Sequence, residues 1–226
     1  YHYGFTTLFL FCGGLSVAAL LVAGAVRLPP VSTTAGKVRP ALFERSSLEP
    51  SLVMFFVTFT YGGVVTFIAL HGAELGIVNV GFYFTAFALA VMATRPLCGM
   101  LYDRRGHRIV VIPGLLCIAA GAAALALATD LTGFVAAAVV GGAGLGATHP
   151  TLQALIFARC APNRRGAASA SFATAFDLGV GGGAVLLGLF SQFMAYREMY
   201  LFAAGAPLLG LLVYLASVGR RGKTHC

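Results

Sequence analysis

Seven apolar runs follow one another along this 226-residue chain, at roughly 4–26, 51–72, 76–101, 109–129, 131–158, 166–193 and 196–218. A helix needs ~20 such residues to cross ~30 Å of hydrocarbon, and every run is long enough. Membrane-spanning strands would show ~10-residue segments of alternating polarity, and that alternation is missing. Charged residues make up 10% of the chain and hydrophobic ones 59%, whereas soluble domains carry about 25% charged residues. The expected fold class is an all-α polytopic membrane protein with seven transmembrane helices.

The formal charge of +8 would suggest nucleic acid in a soluble protein. Here its distribution argues for the lipid bilayer instead, and no nucleic-acid partner is expected. Arg27, Lys37, Arg39 and Arg45 follow the first run, and Arg104, Arg105 and Arg108 the third. Arg159, Arg164 and Arg165 follow the fifth, and Arg220, Arg221 and Lys223 the seventh; the other side holds Arg197. Cytoplasmic loops concentrate Lys and Arg. These four regions are therefore expected inside, with the N-terminus outside, the C-terminus cytoplasmic and the chain multi-pass in the plasma (inner) membrane.

The odd helix count and the absence of an initiator Met lead us to expect a segment of a longer protein. The anticipated organisation is one helix (1–27), a cytoplasmic linker (28–50), a six-helix bundle (51–219) and a short tail (220–226). Within the linker, 41–48 reads as a short interfacial helix with Leu42, Phe43 and Leu48 toward lipid. The five cysteines have no paired spacing and read as small apolar residues. There is no metal-ligand cluster, no catalytic carboxylate pair and no nucleophile–base spacing, so neither an enzyme nor a cofactor is expected. Lys37 and Lys223 both lie outside the runs, which removes a retinal Schiff base.

Six of the seven carboxylates sit in loops or at run ends; Asp177 is the exception. Counted from Gly166 it lies ~16 Å into its helix, near the midplane. A charge there costs at least ~2.5–3.5 kcal/mol unless it faces a polar cavity or takes up a proton. Asp177 is thus a candidate proton-coupling or cation site, with a structural Asp bonded to a neighbouring helix as the alternative. His149, beside Pro150, and Gln153 one turn later are further cavity candidates. Tyr61, with Thr60, Thr66, Phe59 and Phe67, is a candidate substrate contact, although an aromatic stripe in a membrane bundle is more often packing than a binding wall. Gly142/Gly146 and Gly179/Gly183 are each four apart and would let backbones approach closely.

The stretch Gly99-Met-Leu-Tyr-Asp-Arg-Arg-Gly-His-Arg108 is expected to be a short basic turn between helices. It resembles the cytoplasmic loop pattern of the major facilitator superfamily, which runs Gly, any, Leu, small, Asp, basic, any, Gly, basic, basic. Tyr102 departs from the small residue and His107 mildly from the basic one. Arg95-Pro96, Gly144–Gln153, Pro162–Gly166 and Phe176–Gly183 resemble multidrug or sugar-efflux members of that family.

The resemblance implies that 51–219 is the C-terminal half of a carrier and 1–27 the last helix of the N-terminal half. The missing N-terminal bundle would then be the chief partner. It also implies alternating access, with two bundles rocking about a midplane site, and proton-coupled efflux of a small amphiphilic substrate. Arg95, Gly99, Asp103, Arg104, Gly106 and Arg108, with Arg164 and Arg165, would form a cytoplasmic gate. Arg95 and Asp103 are ~12 Å apart along one helix, so the next loop's arginines are the better partners for Asp103. Charge-assisted bonds contribute ~1.5–3 kcal/mol, and a proton entering down ~100 mV brings ~2.3 kcal/mol. Both are on the scale that separates two conformations. A seven-helix receptor or sensor, or a membrane-embedded enzyme, remains the alternative class.

Overall fold

A computed structural model describes residues 5–25 and 47–221. The described residues form seven α-helices: α1 (Phe5–Ala25), α2 (Leu48–Glu74), α3 (Gly81–Arg105), α4 (Arg108–Leu127), α5 (Leu131–Arg159), α6 (Arg165–Phe190) and α7 (Tyr196–Arg221). A 3₁₀ turn, Pro162–Arg164, precedes α6. The described residues form no strand. The chain divides into two units, Tyr1–Val38 and Arg39–Cys226. In the first, the described side chains of α1 are exposed. The second holds the bundle α2–α7.

Six helices, α2 to α7, are long and apolar enough to cross a membrane; in α1 the apolar stretch Phe9–Ala25 is shorter. α1 itself is 21 residues long, and the fold is the all-α, seven-helix one expected from the sequence. The interfacial helix expected at 41–48 lies almost wholly outside the described residues, as does the tail beyond residue 221.

Two helix ends differ from expectation for the same reason, a glycine with positive φ. The third helix starts at Gly81 rather than near 76, because Gly76 (φ +71°) turns the chain and 75–80 form the connection. At its other end α3 runs on through Gly99 and Asp103 to Arg105. Gly106 closes it, with φ 81° and ψ 174° and its N–H donating to the Tyr102 carbonyl at 2.8 Å. That φ/ψ region is open to glycine alone. The expected basic turn is therefore mostly helix, and the turn itself is only Gly106-His107. The connection before α5 is just as tight. Hydrogen bonds from the Thr132 hydroxyl and the Gly133 N–H cap α5 through Asp130 and hold that carboxyl below its ordinary range.

The packing pattern is symmetric. α2 packs on α6 and α7, α5 on α3 and α4, and α4 on α7. Exchanging α2–α4 with α5–α7 maps this pattern onto itself. Short turns alternate the helix directions, so α2 and α5 run oppositely and the two triplets form an inverted repeat of the kind found in carriers.

Glycines set the closest seams. A Cβ on Gly183 would meet the Phe59 carbonyl oxygen at 2.1 Å, and one on Gly142 the Phe87 carbonyl oxygen at 2.6 Å. No larger residue fits between backbones this close. α3 and α6 are the outlying helices: Tyr83 is the one buried side chain on α3.

Candidate functional site

Two faces of the bundle carry the residues singled out from sequence. The first is the open side of α6. Gly179 and Gly183 turn toward α2, which leaves Thr174, Asp177, Leu178, Gly181 and Val185 on the opposite stripe, all exposed. Asp177 is twelve residues into a 26-residue helix, close to its middle. Among the described residues it makes no hydrogen bond or ion pair. The alternative of a structural Asp bonded to a neighbouring helix therefore finds no support within this bundle. A carboxylate at that depth must meet either a polar partner or a proton.

His149 reaches the same helix from α5. Its half-buried ring lies edge-on to Phe172 at 5.5 Å and to Phe176, the residue before Asp177, at 5.8 Å. Gln153 follows one turn later, also half-buried. The fold thus brings His149 and Asp177 into one neighbourhood without joining them. Tyr61 is elsewhere. It stacks on Phe87 at 5.8 Å and lines a void of about 30 Å³ with Thr60 and Tyr83, room for water but not for a substrate. The Thr60 hydroxyl is committed to the Ala203 carbonyl at 2.7 Å, a bond that ties α2 to α7.

The second face is the basic end. Arg95, Gly99, Tyr102 and Asp103 of α3 line a groove of about 260 Å³ with Pro150, Thr151 and Ala154 of α5. Arg95 and Asp103 share this groove, and Asp103 is exposed without an ion pair among the described residues. A Cβ on Gly99 would meet nothing within 4 Å, so no helix of this bundle uses the glycine for close approach. Arg104, Arg105, Arg108 and Arg165 are exposed and Arg164 is half-buried, and none of them lines the groove.

Two contacts at this end were not legible in sequence. Arg159 pairs with Glu49 at 3.3 Å, tying the end of α5 to the start of α2. His107, in the turn just before α4, hydrogen-bonds through Nδ1 to the Tyr214 hydroxyl of α7. Burial holds His107 below its ordinary value of 6.5, and the positive charges of Arg159 and Arg108 push the same way. The partners are 110 and 107 residues apart, and no local pattern marks such pairs.

The bundle is thus an inverted repeat of three plus three helices of membrane length, with a basic end around Asp103 and an acid in the middle of α6. The family model of the Major Facilitator Superfamily matches residues 50–225, and the chain belongs to that family. It is 31% identical over 135 residues to an uncharacterised MFS-type transporter of Salmonella typhimurium, covering 60% of this chain and 35% of that protein. It is 26% identical to the staphylopine export protein of Staphylococcus aureus, covering 76% of this chain and 43% of the relative. To the quinolone resistance protein NorA of the same organism it is also 26% identical, over 73% and 42% respectively. A crystal structure of the peptide transporter POT has the same fold at TM-score 0.66 and 21% identity, covering 76% of this chain and 38% of that one. The chain spans less than half the length of these relatives, three of which are named as transporters or as an export protein.

Proposed function

We propose that this chain supplies one half of a secondary active transporter, in which α3 and α6 pack against a second six-helix bundle of the same protein. One observation carries this reading: both outlying helices leave a face uncovered, and the face of α6 presents an unpartnered acid at mid-depth. Lipid cannot satisfy that carboxylate, whereas a cavity between two bundles can. Asp177 is then the proton-coupling group, with His149 and Gln153 on the adjoining helix as substrate or proton contacts. Gradient-driven efflux of a small amphiphilic molecule is the reading supported by the resemblance to NorA and the staphylopine exporter.

The groove of Arg95, Gly99 and Asp103 is the gate in this reading. Its open glycine and free acid are placed to receive a helix end from the second bundle when the basic side closes. That side is the cytoplasmic one, by the excess of arginine. Flux assays in vesicles test the proposal: the full-length protein should accumulate an amphiphilic dye, and an uncoupler should collapse the accumulation. Equal flux from residues 47–221 alone would remove the need for a second bundle.

A further inference from the structure

At the end of the bundle opposite the basic groove, one turn before α2 stops, His71 is 4% exposed with neither ring nitrogen hydrogen-bonded. It sits in an aromatic box. Phe134 of α5 stacks on it at 5.5 Å, and Tyr196 and Tyr200 of α7 tilt against it at 6.0 and 5.4 Å. The Tyr200 hydroxyl is fully buried and also unpartnered. The Leu125 carbonyl of α4 lies near the ring without a hydrogen bond to it. Buried polar atoms without partners are rare enough in folded proteins to need a reason. Here three of them meet at one junction of α2, α5 and α7.

The box suits both charge states of an imidazole, in different ways. A neutral ring fills it as a flat apolar plug. A protonated ring is attracted by aromatic faces within about 6 Å, yet it carries two N–H donors that make no hydrogen bond where the ring now sits. Acceptors stand at its edges: the Tyr200 hydroxyl, the Leu125 carbonyl, and the exposed Glu74 carboxylate one turn along α2. The other groups nearby are Tyr196 on α7 and Tyr83 of α3 behind Tyr200. Phe134 and Leu125 bring no titratable group from α5 and α4. Asp130, Arg197 and Glu198 lie exposed at the same end.

We propose that His71 is a second proton-binding site, separate from Asp177, whose charging opens the seam between the last turn of α2 and the first turns of α7. A charged ring moves its donors toward Glu74 and water, and the plug leaves the box. The site belongs to the bundle itself and does not rest on the transport reading.

Histidine-labelled protein in lipid discs tests this by NMR titration from about pH 8 to about pH 4.5. Amide exchange of residues 68–75 and 196–203 is followed in parallel. The expected result is a titrating His71 signal, with exchange in both segments rising about ten-fold as it charges. His71→Phe should give slow, flat exchange across the range, and Asp177→Asn should leave the wild-type profile in place. Should His71→Phe not fold, His71→Gln keeps a polar side chain that cannot charge and should be equally flat. A His71 signal that never titrates overturns the proposal. So does titration without a change in exchange, or a rise that persists in the variants.

Discussion

The seams α2–α6 and α5–α3 occupy equivalent places in the inverted repeat, yet they are built differently. In the first, both helices contribute glycines: Gly62 and Gly63 from α2 face Val180 and Leu187, and Gly179 and Gly183 from α6 face Thr58 and Phe59. In the second, the glycines come from α5, and α3 offers Phe87, Val91 and Thr94. The free faces differ as well. That of α6 carries Thr174 and Asp177, whereas that of α3 is mostly apolar, with Phe82, Leu89 and Met92 beside Thr85, and is charged only toward its basic end. One architecture thus serves two tasks in our reading. The α6 seam holds its helix at a fixed close distance and presents an acid at mid-depth, while the α3 seam carries a charged end that can engage and release.

The comparison breaks most readily at Asp177. Asp177→Asn in the full-length protein should abolish gradient-driven flux while leaving membrane insertion intact; flux with unchanged pH dependence would leave α6 no special role. The next effect is on stability. Overpacking costs typically 1–3 kcal/mol, so Gly183→Ala should lose about 3 kcal/mol and Gly146→Ala about 1 kcal/mol in a detergent unfolding series. Gly181→Ala, which meets nothing within 4 Å, should stay within about 0.5 kcal/mol. Equal losses at all three would erase the distinction between seams.

The basic end sharpens the comparison through pH. His107 is held below its ordinary value in the fold, so the unfolded chain binds the proton more readily. Its contribution is therefore present above about pH 6.5 and is lost as pH falls toward the lowered folded value. The melting temperature should drop over that window, and His107→Gln should flatten the drop; an identical pH profile in the variant would show that the Tyr214 contact is irrelevant. Smallest of all is the Glu49–Arg159 pair, with side chains 35% and 18% exposed. Glu49→Gln should cost no more than about 1 kcal/mol by thermal melting in moderate salt. A larger loss would make this end, rather than the α6 seam, the main clamp on α2.

Much of this was legible in the chain itself. Helices of membrane length follow from apolar run length alone, because hydrocarbon offers no partner to an unpaired backbone group. The four-residue glycine spacings marked the helix faces that meet, since spacing four fixes one side of a helix. Asp177 stood out because mid-helix charge is costly anywhere in a membrane. The fold corrected what depends on backbone torsion: Gly76 and Gly106 decide where α3 begins and ends, and a residue name does not state its φ.

What only the tertiary structure decided is which side chains meet across helices. In sequence Tyr61 stands between a substrate contact and packing, and in space Phe87 of α3 stacks on it. His107 finds Tyr214, Arg159 finds Glu49, and His71 is enclosed by rings from α5 and α7. The physical reason is one of range. Solvation and helix length are properties of a segment and can be summed along it, but a contact between helices depends on rotation and crossing, which the whole bundle sets at once.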